Sequence, residues 1–156
     1  MFLRLLFIGS LLFTGSFAKD FSPWGNASVI DKEYKPQKVL YDVDYGSLTK
    51  LTNILDRVSF LNQLYKADPF HSSIVVILHG GSIPYFAKDS GETYKVFLKR
   101  AYNLTLDGII EFRMCKAAAK AMHYEAKDIH GFITMVPMAD AEIVELQKEQ
   151  GYAYLR

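Results

Sequence analysis

The chain holds one cysteine, Cys115, inside the stretch "GIIEFRMCKAAAKAMH". A thiol becomes a strong nucleophile once it is deprotonated. The residues before Cys115 read as a short strand and those after it as an alanine-rich helix, so the thiol sits at a helix's first turn. Unpaired backbone N–H groups and the positive end of the helix dipole converge there, and both favour a thiolate. Alternation along the strand puts Glu111, Arg113 and Cys115 on one side and Ile110, Phe112 and Met114 on the other. Charges on a strand otherwise expected to be buried point to a side that meets solvent, a partner subunit or a cleft. Arg113 is a second group there that favours the thiolate. His79, followed by Gly80 and Gly81, closes another apolar run. An imidazole beside a thiol can carry its proton, and glycines let backbone amides approach an anionic ligand. The same residues also fit a small buried core cysteine, and a histidine satisfied by nearby backbone before a plain turn. Both readings stay open on spacing alone.

Other chemistries find less support. Neither G-x-G-x-x-G nor G-x-x-x-x-G-K-[ST] occurs, so "HGG" is not a phosphate loop. Ser82 lacks the G-x-S-x-G elbow of a nucleophilic serine. No H-x-x-x-H or C-x-x-C spacing is present, and neither a metal nor a cofactor is expected. Met114, Cys115, Met135 and Met138 could together make a soft site for monovalent copper, although methionine in a core is the commoner case.

The elements that must position these residues alternate. Residues 38–44, 73–81, 108–114 and 131–137 read as strands, and "YAYLR" as a short last one. Residues 47–66, 92–104, 115–126 and 139–150 read as helices, the first with Ser47 as its N-cap. Such alternation predicts βαβ units, a parallel sheet and helices on both faces. Ligands of open α/β sheets bind outside the carboxyl ends of the strands. His79, Gly80, Gly81, Cys115 and Met138 all fall at such ends. Gly80, Gly81 and Met138 are therefore the candidate ligand-binding residues.

The whole chain sets the surroundings. The opening "MFLRLLFIGSLLFTGSFAKD" has a basic residue, a short apolar run and Ser16-Phe17-Ala18, a small-x-small cleavage pattern. That is the pattern of a secretory signal peptide over residues 1–18, with an exported chain, in the periplasm, as the expectation. The run is short of the about 20 residues a span needs, so no membrane span is expected in the mature chain. Residues 19–37 read as an N-terminal extension packing through Phe21 and Trp24, and residues 38–156 as one domain. The formal net charge is +1 and no basic block stands out, which excludes a nucleic-acid footprint. One cysteine makes no internal disulfide, so in an oxidising compartment it is buried, paired between chains or kept for chemistry.

The block "TMVPMADAEIVELQKEQGYAYLR" resembles the C-terminal signature of the DsrE/DsrF-like family, through Val136, Pro137, Glu142, Ile143, Leu146, Gln147, Gly151, Tyr152, Ala153 and Tyr154. "VVILHGG" resembles that family's second strand with its His-Gly end, and "FRMCKAAA" the segment carrying its cysteine. The resemblance covers residues 38–156. It implies a three-layer α/β/α domain with a mostly parallel sheet of about five strands, assembled as a homotrimer or homohexamer. It also implies that Cys115 accepts and passes on a sulfane sulfur as a persulfide. His79 and Arg113 would then be supporting groups, and a sulfur donor or acceptor, protein or small thiol, the partner. The alternative expectation is a non-catalytic oligomeric module that holds a small ligand or soft metal, with Cys115 as packing.

Overall fold

The computed structural model describes residues 24–156; the signal peptide expected over residues 1–18 lies outside them. Residues 24–37 form no helix or strand. Of the two residues expected to pack, Phe21 lies outside the described residues and Trp24 is 93% exposed. A compact unit spans Glu33–Arg156. Its elements are β1 (Lys38–Val43), α1 (Leu48–Leu64), β2 (Ser73–Leu78), α2 (Lys95–Leu104), β3 (Ile110–Cys115), α3 (Lys116–Ala121), β4 (Ile133–Val136), α4 (Ala139–Lys148) and β5 (Ala153–Leu155). The strands form one sheet in the order β4-β3-β2-β1-β5. Every pairing is parallel. This is an α/β fold with helices on both faces of the sheet.

The strand order decides which helix goes where. From β1 through β2 and β3 to β4 the chain steps one way across the sheet, and from β4 to β5 it returns past all of them. Crossovers in parallel sheets are right-handed, so opposite steps place their helices on opposite faces. Accordingly Leu51, Ile54, Leu55 and Val58 of α1 and Phe97, Leu98 and Ala101 of α2 pack on one face, with Ala119 of α3. They meet Val39, Tyr41, Val43, Ile74, Val76, Leu78, Ile110, Phe112 and Met114. Ala139 and Leu146 of α4 pack on the other face, against Leu40, Val75, Ile77 and Cys115. A helix about 10 Å across covers about two strands spaced about 4.8 Å apart. The single helix α4 lies over β1 and β2. The β3 and β4 part of that face keeps polar groups, with Thr134 exposed and the Glu111 side chain 39% exposed. The charges on β3 are thus explained by a layer one helix wide.

Three local details depart from the expectation. β2 stops at Leu78, and the glycines after His79 open a 3-10 turn over Gly80–Phe86 instead of extending the strand. α3 ends at Ala121, five residues early: His123 takes a left-handed φ of 65°. Glu125 and Asp128 then cap a separate 3-10 turn reciprocally. Ser47 occupies the N-cap position of α1, but its hydroxyl makes no capping bond.

Gly81 has a steric reason to be glycine. A Cβ there would lie 2.7 Å from the backbone N of Gly46 and 2.8 Å from its Cα. The turn after β2 and the turn after β1 are pressed together at that point, and backbone cannot step aside as a side chain end can. Gly81→Ala is expected to cost roughly 1–3 kcal/mol of stability, the usual range for overpacking, read as a lower urea midpoint at unchanged slope. An unchanged midpoint would mean that the two turns separate freely.

Candidate functional site at the carboxyl ends of the strands

α3 follows β3 onto one face of the sheet and α4 follows β4 onto the other. β3 and β4 are neighbours, so the chain leaves their carboxyl ends in opposite directions. That is a topological switch point, the place where open α/β sheets form ligand crevices. Cys115 ends β3 on one side of it and Pro137-Met138 follow β4 on the other. Cys115 pairs with Val136 in the sheet, and the Ala117 N–H donates to the Pro137 carbonyl at 3.2 Å, which ties the two loops together.

Cys115 is itself the N-cap of α3. Its Sγ accepts the Ala118 N–H at 3.4 Å, so one backbone donor of the helix's first turn reaches the sulfur. The thiol belongs to the apolar cluster beneath α4, and the residue is only 5% exposed.

His79 follows the neighbouring strand. Leu78, the last residue of β2, pairs with Met114, and His79 lies one residue beyond that pair in its strand's direction, as Cys115 does in β3. The extended backbone of His79, φ −152° and ψ −179°, keeps the strand alternation through that position. Its Nε2 lies 2.7 Å from Oδ1 of Asp42, whose side chain is 14% exposed. The Tyr154 hydroxyl donates to the other oxygen of the same carboxylate at 2.5 Å. That bond, followed by burial, raises the pKa of the tyrosine above its ordinary value. Arg156 pairs with Asp44 at 3.1 Å at the same end of the sheet. β5 and the residue that follows Leu155 thus reach the site through two side chains.

Arg113 lies one row below Cys115 and is held between two carboxylates. Its Nη2 donates to Glu111 at 2.6 Å and its Nη1 donates to Glu142 of α4. The hydrogen bonds it donates to Glu111 and Glu142 raise the guanidinium pKa still further, against the opposing pull of burial. Arg113 is therefore always charged, but it faces two negative partners, so the cluster as a whole carries about one net negative charge. Support of a thiolate by Arg113 is correspondingly small. The guanidinium instead pins α4 to β3.

The remaining candidate residues divide. Gly80 adopts φ +52°, a left-handed conformation that suits glycine. The Gly81 N–H donates to the Asp44 carbonyl at 3.1 Å, so this amide is engaged within the turn. Met138 is 48% exposed at the switch point. The soft copper set does not assemble: Met114 and Met135 pack in the core on the far face of the sheet from Cys115, as neighbouring strand residues must. Among the described residues no group of three His, Cys, Asp or Glu side chains could hold a metal ion. No helix among them is long and apolar enough to cross a membrane. A cleft of about 360 Å³ opens away from the thiol, along α1, lined by Tyr45, Thr49, Lys50, Asn53, Ile54 and Arg57.

Asp42, Tyr154 and Glu142 were not singled out as site residues on sequence. Asp42 carried a usable signal, since in "KVLYDVD" it shares a strand face with Leu40 and is a charge in a buried run, like Arg113 on β3. Glu142 and Tyr154 entered only through the resemblance, with nothing to show a site role, because their partners lie 29 and 112 residues away in the chain.

No family model and no curated protein matches the chain. Among solved structures it is similar to a protein of unknown function, MTH1491, from Methanobacterium thermoautotrophicum. The superposition has a TM-score of 0.58 at 19% identity and covers 77% of this chain and 98% of that one. At that identity the likeness concerns the fold, and the two chains share the α/β architecture that brings Cys115 and His79 to one sheet edge.

Proposed function

We propose that this protein carries sulfane sulfur on Cys115. One observation carries the reading: the chain's single thiol caps α3 at the switch point, at the carboxyl end of β3, whose neighbour β2 leads into His79. The step is redox-neutral. The Cys115 thiol gives its proton to His79, and the thiolate attacks the outer sulfur of a donor persulfide, R–S–SH. The donor's S–S bond breaks, a new S–S bond forms on Cys115, and R–S⁻ leaves and recovers the proton. An acceptor thiol then attacks the outer sulfur and releases Cys115 as thiolate. Donor and acceptor are proteins or small thiols. Assembly as a homotrimer or homohexamer and export to the periplasm belong to the same proposal, on the strength of the DsrE/DsrF-like resemblance and the opening residues.

A second reading has a specific observation in its favour. Cys115 is 5% exposed and packed among Leu40, Val75, Ile77 and Leu146, as a structural thiol would be in a module that only binds a small ligand or assembles. Native-state labelling separates the two. For a sulfur carrier, a small neutral alkylating reagent labels Cys115 much faster than the protein unfolds globally, because local opening of the loop around Met138 suffices. Labelling no faster than global unfolding would place Cys115 among the packing residues and favour the second reading.

A further inference from the structure

The proposed transfer needs His79 to take a proton, and its ring is not free to present either nitrogen. Nε2 is committed to Asp42 at 2.7 Å. A carboxylate only accepts, so Nε2 carries the hydrogen and Nδ1 is the basic nitrogen of the neutral ring. The carboxylate is itself fixed through its second oxygen by the Tyr154 hydroxyl at 2.5 Å. Tyr154 comes from the last strand, which is tied down on both sides of it. The Tyr152 hydroxyl donates to Ser73 Oγ at 2.8 Å, and Arg156 holds Asp44 at 3.1 Å. The Arg156 carbonyl accepts from Arg57 of α1 at 3.4 Å.

We infer that Asp42 and Tyr154 are positioning residues for His79, so that the C-terminal strand β5 is part of the site and the site is incomplete without it. Asp42 fixes the tautomer and steadies the imidazolium formed when His79 takes the thiol proton. Tyr154 keeps the Asp42 carboxylate turned toward His79. Other charged or titratable groups near this end of the sheet include Asp44 and Arg156, which pair with each other; from β3, Cys115 with the Glu111–Arg113 pair one row and more below; and, from α4, Glu142 on Arg113. This explains physically why a C-terminal segment carries two tyrosines two residues apart. Tyr154 lies in β5 and Tyr152 just before it, the first bonding to the Asp42 carboxylate and the second to Ser73 at the amino end of β2.

The inference rests on the sulfur-carrier reading for its purpose, but its test does not. Asp42→Ala and Tyr154→Phe are made alone and with His79→Ala, and the rate of Cys115 alkylation by a neutral reagent is compared in the two backgrounds. In the His79 background, slowing by roughly tenfold for Asp42→Ala is expected, the low side of what a positioned proton acceptor contributes, and a smaller slowing for Tyr154→Phe. With His79→Ala already present, neither is expected to slow labelling further, since both act through the imidazole. Tyr154→Phe keeps the ring and guards against a folding artefact. In parallel, nitrogen NMR of the wild-type protein is expected to show neutral His79 protonated at Nε2, with a downfield N–H proton that Asp42→Ala abolishes. Equal slowing in both backgrounds, or neutral His79 protonated at Nδ1, would overturn the inference. If wild-type Cys115 resists alkylation altogether, the sulfur-carrier reading falls, and the NMR result alone decides whether Asp42 orients His79.

Discussion

Arg113→Ala is expected to cost the fold about 3 kcal/mol, the low end of what removing one partner of a buried ion pair costs. The guanidinium, 19% exposed, bridges Glu111 on its own strand and Glu142, 16% exposed, on α4. Without it the two carboxylates face each other with no cation, and Glu142 has little access to water. The loss falls on the one helix that covers the α4 face, so it loosens the layer over Cys115 as well. Urea unfolding at neutral pH reads the effect as a lower midpoint. The double variant Arg113→Met with Glu142→Met is expected to recover part of the loss, since it removes the stranded charge along with its partner. A midpoint within about 0.5 kcal/mol of wild type for Arg113→Ala, the range of ordinary surface substitutions, would show that the bridge is solvated and that α4 is held by its apolar face alone.

The alternation of strands and helices was legible in the sequence because each strand of a parallel sheet buried on both faces is a short apolar run. "SIVVIL" shows this without ambiguity, and all six of its residues pair with β1. The three-residue strand β5 was legible only as a tail after a helix, since it has too few residues to show a period. The early end of α3 was hidden: Ala117, Ala118, Ala119 and Ala121 all favour helix, and the left-handed His123 leaves no composition signal. Turn geometry at Gly80 and Gly81 was half legible. Two glycines announce a special backbone, but their purpose is a close approach of two turns, which depends on Gly46 lying 35 residues earlier.

The site divides in the same way. Cys115 and His79 could be placed at one edge of the sheet because both end apolar runs. That they lie at the ends of neighbouring strands depends on strand order, which spacing does not contain. Arg113 was visible as a charge on a buried strand, yet its two carboxylate partners offset the positive charge it would offer the thiol. One of them, Glu111, sat in view on the same strand face, whereas the other arrives on a helix from across the switch point. Asp42 and Tyr154 come from the two ends of the domain and meet only because β5 returns to the side of β1.

The second large effect concerns the sulfur itself. Serine at position 115 keeps a capping oxygen for α3 and nearly the same volume, so Cys115→Ser is expected to fold. Its hydroxyl cannot form a persulfide, so every trace of sulfur loading is expected to vanish with the thiol. The conservative substitution therefore separates chemistry from packing at a buried position.

The most direct measurement is the intact mass of the protein after exposure to a small persulfide donor, with Cys115→Ser treated alongside. The account predicts a gain of one sulfur on the wild-type chain, reversed by reductant and absent from the variant. A folded wild-type protein that gains no sulfur while the donor remains active would contradict it, and Cys115 would then be a packing residue of the α4 layer.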